Sequence, residues 1–112
     1  MIHKSFNDAE LFLGETNKTY EYNIDDKDIN FCIVEINGRF PKEKWAINEV
    51  CKEMAHILSG SGIINVEGKI YNVKKDDVVL INVREKYYWE GKMKLGIPCS
   101  PAWYPEQHKI IE

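Results

Sequence analysis

Apolar and polar residues alternate through most of this chain, and the alternation marks strands. "INFCIVEI" (29–36) is rich in β-branched and aromatic residues and predicts a strand that ends at Asn37-Gly38. "GIINVEGKIYNV" (62–73) predicts a hairpin whose two-residue corner is Glu67-Gly68, with glycine supplying the positive φ of a tight turn. "DVVLINV" (77–83) and "KMKLGIP" (92–98) complete a series of short strands with turn signals between them. That spacing predicts an all-β sandwich or barrel.

One segment has a competing period. "KWAINEVCKEMAHIL" (44–58) carries apolar residues at 47, 50, 51, 54, 57 and 58, and its local propensity favours a helix stopped at Gly60. Gly60-Ser61-Gly62 is no phosphate-binding loop. Such a loop must open a helix whose N–H groups hold the anion, whereas "IINV" begins a strand. The glycine pair is a corner in the sheet.

The order of these features resembles a cupin, the double-stranded β-helix or jelly-roll barrel, from about Glu53 to Gly91. Glu53 stands seven residues before Gly60, as the Glu and Gly of the first cupin motif do. "VEGKIYNVKKDDVVLI" (66–81) is similar to the family's hairpin stretch, and "DDVVLINVREKYYWEG" (76–91) keeps the spacing of the second motif. The resemblance implies an all-β, cupin-type jelly roll in which 44–58 is strand. Glu53, Ala55 and Ile57 would then face one way and Met54, His56 and Leu58 the other. It also implies one cupin domain over 1–112: an N-terminal extension with edge strands (1–28), the barrel (29–98) and a proline-rich tail (99–112).

Metal-binding cupins hold a divalent ion with three histidines and the Glu. Here the first two histidine positions fall on Ala46 and Asn48, or on Ile47 and Glu49 with the shorter motif gap, and the third falls on Tyr87. Only Glu53 remains. A carboxylate with an amide and a phenol suits transition ions poorly, so neither a metal nor another cofactor is expected.

Glu53 in a barrel must be paired, protonated or reached by solvent, and burial would raise its pKa towards acid–base use. "EKYYWEG" (85–91) places Tyr87 and Trp89 on one face and Tyr88 on the other, either as platforms for a flat ligand or as core filling. The expected ligand-binding set is Trp45, Asn48, Glu53, Tyr87 and Trp89. The expected function is metal-free binding of a small polar or sugar-like molecule. The alternative is an isomerase- or epimerase-type enzyme, or a weakly metal-dependent one, with Glu53 and Tyr87 as acid and base. The tail "CSPAWYPEQHK" (99–109) is expected to avoid regular pairing because of its prolines, and His108 within it to face solvent.

Composition narrows the partners. The 15 basic and 18 acidic side chains leave a net charge of -3, against the concentrated positive charge that nucleic acid requires. No apolar run is long enough to span a membrane, and "MIHKSFNDAELFLGE" (1–15) meets acidic residues too early for a signal peptide to be expected there. Three widely spaced cysteines, Cys32, Cys51 and Cys99, are expected as reduced, partly buried thiols in a cytoplasmic protein. A small-molecule ligand and a homodimer are the expected partners.

Overall fold

A computed structural model describes residues 1–112. The chain forms nine strands: β1 (Glu10–Leu13), β2 (Asn17–Glu21), β3 (Asn30–Phe40), β4 (Trp45–Asn48), β5 (Lys52–Val66), β6 (Lys69–Lys74), β7 (Val78–Ile81), β8 (Tyr87–Ser100) and β9 (His108–Ile111). They make one sheet in the order β1-β2-β3-β8-β4-β9, and β5 pairs with β6, β7 and β8. All pairings are antiparallel, and the sheet curls on itself around the buried side chains of β3, β5 and β8.

The contested segment is two strands, not a helix. Along the start of β5, exposed and buried residues alternate strictly, with Glu53, Ala55 and Ile57 inward and Met54 and His56 outward. The helical period loses because β5 satisfies its backbone against β7 on one side and β8 on the other, and no isolated helix competes with two ladders.

Gly60 and Gly62 lie at a corner, as the sequence predicts, but inside one long strand rather than between two. A register shift falls between Ile57 and Ser59, after which β5 exchanges β7 for β6 as its second partner. The bend is possible because Gly62 pairs with Gly91, which in turn pairs with Gly38. A Cβ on Gly62 would stand 2.3 Å from the Glu90 carbonyl oxygen. Gly38 (φ +117°) therefore bends β3 without ending it, and the strand continues to Phe40. This corrects the expected stop at Asn37-Gly38.

The hairpin corner at Glu67-Gly68 is as expected, with φ of 54° and 90°. Gly68 has open space around its Cα, so Gly68→Ala meets no clash and suffers only the left-handed backbone. We expect a loss of about 1 kcal/mol, read as a lower urea midpoint at unchanged slope.

The tail departs from expectation. Pro98 sits inside β8 opposite Phe31, and residues 108–111 pair with β4. Gln107, buried in the short turn Pro105–Gln107, pins the tail: its Oε1 accepts from the N–H groups of Val50 (3.2 Å) and Cys51 (3.1 Å), and its Nε2 donates to Asn48 Oδ1 at 2.8 Å. The prolines fall where no ladder bond is needed, so regular pairing resumes beyond them.

Candidate active site

A cavity of about 610 Å3 lies in the curl of the sheet, walled by β2, β3 and β8, with Glu53 contributed by β5 and the tail closing one side. Its apolar wall comes from the inward residues of two paired strands, Val34 and Ile36 on β3 and Leu95 and Ile97 on β8, with Trp89 and Phe40 beside them. Its polar groups are few: Glu21, Asn30, Glu53, Tyr87 and His108, with Thr19 and Asn23. This mixture, mostly apolar with a few convergent polar groups, is the usual make-up of a small-molecule site. A second depression of about 690 Å3 lies between residues 13–18 and 92–94. Turn backbone and the surface lysines Lys18, Lys92 and Lys94 line much of it, and the buried carboxyls lie elsewhere.

Glu53 is the centre of the chemistry. Strand alternation turns it inward between Ala55 and Cys51, and only 9% of it is exposed. Burial pushes its carboxyl up to about 7, opposed by the amide of Asn48. Tyr87 stands nearby, fully buried. Burial, and secondarily the Glu53 carboxyl, raise its pKa well above the ordinary value, so the phenol keeps its proton and is a donor.

Asn48 links these groups to the tail. Its Oδ1 accepts from Gln107 Nε2 at 2.8 Å and lies 3.3 Å from His108 Nδ1, which fixes the orientation of the amide. Its Nδ2 is buried and completes no hydrogen bond, although it lies near enough to Glu53 and Tyr87 to favour their ionised forms.

Of the five expected ligand residues, Glu53, Tyr87 and Trp89 line the cavity, and Asn48 stands directly behind two of them. Trp45 does not join them. Ala46 pairs with Tyr87 and both point inward, so their neighbours Trp45 and Tyr88 point outward. There Trp45 meets Tyr88 edge-on at 5.2 Å, under Lys86, while Arg39 covers Tyr88 at 3.9 Å.

Two groups escaped the sequence reading. Glu21, on β2, shares the cavity, and its carboxyl is raised to about 7 by burial and then by Glu53 and Glu10. Its position in the middle of the alternating "TYEYN" (19–23) was the available signal. His108 lines the cavity instead of facing solvent, because β9 pairs with β4 and brings it to Asn48. Burial lowers its pKa, which favours the neutral ring. The thiols of Cys32 and Cys99 also face the cavity, and burial pushes both upward, away from the reactive thiolate.

No protein-family model matches the chain, and no curated protein matches it. Solved structures do. A single-substitution variant of Streptomyces Pac13 with uridine superposes with a TM-score of 0.91 at 12% identity, over 100% of this chain and 92% of that one. Pac13 is described as a nucleoside dehydratase. Ectoine synthase from P. lautus follows at 0.80 and 16% identity, over 100% and 91%. KdgF from Halomonas sp. superposes at 0.75 and 10% identity, over 90% and 94%. The fold is a cupin-type barrel. Identities this low carry the fold alone, so the chemistry must be argued from the residues present.

Many cupin-type barrels hold a transition ion, and the residues of this one do not fit it. Nowhere in the chain do three His, Cys, Asp or Glu side chains converge on one point. Around Glu53 stand an amide, a protonated phenol, the Glu21 carboxyl and thiols that burial holds protonated, while the one imidazole, His108, lies against Asn48, a weak donor set for ions that favour imidazole.

Proposed function

We propose that this protein binds a small polar molecule of sugar or nucleoside size in its barrel and acts on it by proton transfer, without a resident metal. The observation that carries this is Glu53, a carboxyl raised to about 7 that opens into a cavity of about 610 Å3 beside a protonated phenol. At neutral pH such a carboxyl is divided between acid and base, the condition under which one group can both take and return a proton. Glu53 is the base, Tyr87 donates its O–H to an oxygen of the ligand, Trp89 gives a flat wall, and Asn48 positions Glu53 from behind. This constellation suits abstraction of a proton next to a carbonyl, the first step of an isomerase, epimerase or eliminating enzyme. The described activity of Pac13, and its structure with uridine, are consistent with this kind of pocket in this fold.

The test follows carbon-bound hydrogen. The protein is incubated in D2O with uridine, aldoses, ketoses and their oxidised derivatives, and exchange is read by NMR alongside thermal shift. We expect at least one compound to raise the melting temperature dose-dependently and to exchange a hydrogen, with exchange falling at least about 100-fold in Glu53→Gln. Binding without exchange would leave a non-catalytic binding protein, and neither binding nor exchange would remove the reading. Association of two copies through β1, whose Leu11 and Leu13 are exposed at the sheet edge, is the companion proposal. Sedimentation velocity checks it, with a monomer at 100 μM counting against it.

A further inference from the structure

The cavity is acidic and has no cation of its own. Glu21 and Glu53 both open into it, and no Lys or Arg lines it. His108, the one basic side chain there, is held towards its neutral form by burial. Glu21 accepts a single hydrogen bond from Asn30 Nδ2 at 3.2 Å. Glu53, nine-tenths buried, is approached by the Asn48 amide, whose Nδ2 completes no hydrogen bond. Buried carboxyls are normally matched by a cation or by several N–H donors. Glu53 is buried and Glu21 half-buried, the two are close enough to repel each other, and neither has such a partner set. The rest of the wall is aromatic and aliphatic, which suits the carbon skeleton of a ligand and the face of an ammonium group.

We propose that the Glu21–Glu53 end of the cavity receives the ammonium group of an amine-bearing ligand, with Glu21 as its specificity-determining anchor. The proposal rests on the cavity being the ligand site and adds the charge class of the ligand. An ammonium N–H donates to Glu21 while Glu53 stays free to face the reacting carbon. A phosphate or carboxylate at the same place meets two carboxyls that share negative charge and no Lys or Arg, so anionic ligands are disfavoured. Glu21 acts through charge and hydrogen bonding, and its amide isostere keeps the acceptor that Asn30 uses.

Three probes of one shape test this: benzylamine, benzyl alcohol and benzoate, titrated at pH 7.5 into isotope-labelled full-length protein. Benzylamine is expected to move the Trp89 indole signal and the Glu21 and Glu53 carboxyl signals saturably. Its affinity should exceed that of benzyl alcohol by at least about tenfold, with benzoate giving no cavity shifts. In Glu21→Gln the advantage of the amine should shrink to about twofold or less. Equal binding of alcohol or benzoate, no binding of benzylamine, or an amine preference unchanged in Glu21→Gln would each overturn the proposal. The three-probe comparison in the unaltered protein decides it even if the variant fails to fold. A neutral sugar that exchanges hydrogen while the probes show no amine preference would remove this assignment and keep the proton-transfer reading. Amine preference without exchange would do the reverse.

Discussion

Replacing Glu53 by Gln is expected to make the protein more stable above neutral pH while abolishing the proposed proton transfer. In the folded chain the carboxyl keeps its proton up to about pH 7, against an ordinary value of 4.5. The folded state therefore binds more protons than the unfolded one between those values, and stability falls as pH rises through that window. The full penalty, present above pH 7, is about 3 kcal/mol. Gln never ionises, so at pH 8 Glu53→Gln should melt roughly 10 °C higher than the natural protein. Well below pH 4.5, where the natural carboxyl is protonated in both states, the two should nearly coincide. Glu21, raised in the same direction, leaves a residual slope in the variant. Thermal unfolding at several pH values measures both effects. A natural protein whose stability is flat from pH 5 to 8 would show that Glu53 is solvated or paired, and would take the proposed base with it. A group retained at such a cost in stability is the pattern expected where activity, not folding, selects the residue.

The largest loss of stability from a single side chain outside the apolar core is expected at Gln107. Its truncation to Ala strands two N–H groups, those of Val50 and Cys51, together with the Asn48 carbonyl. Cys51 and Asn48 are fully buried, so water cannot easily replace the lost partner. We expect a loss of about 3 kcal/mol, or roughly 10 °C in melting temperature. Gln107→Glu keeps the acceptor for the two N–H groups but turns a carboxyl oxygen towards Asn48 Oδ1 in a buried place, so it should be less stable than the natural protein and recover stability at low pH, where that carboxyl gains a proton to donate. Because Asn48 would then be free to rotate, Gln107→Glu should also change the pH dependence attributed to Glu53. Equal stability of the Ala variant and the natural protein would mean that the tail is not pinned where the structure places it.

How much of this could be read along the chain differs by element. The Glu67-Gly68 hairpin was plain because a two-residue turn needs positive φ, and the required residues are adjacent. The inward face of β5 followed from alternation once a strand was assumed, but assuming a strand needed the family resemblance, since residues 44–58 alone fit a helix better. Glu53, Tyr87 and Trp89, singled out from the motif positions that the resemblance supplies and from strand alternation, line the cavity. Trp45 was misplaced because its face is set by the pairing of Ala46 with Tyr87, 41 positions away, which no local pattern encodes. Glu21 and His108 were overlooked because one sits on a short strand near the start and the other beyond three prolines. Each enters the cavity only through pairing, of β2 with β3 and of β9 with β4.

By itself, then, the amino-acid order determined a β-rich chain, its tightest turn, and which residues on each strand share a face. Those follow from backbone sterics and a two-residue period, both local. Only the tertiary structure decided that two carboxyls from strands 32 residues apart look into one cavity with no cation, and that the tail returns as a strand to brace Asn48. Register between distant strands is set by the joint fit of the whole sheet, and burial, which raises the pKa of both carboxyls, exists only once that sheet has closed.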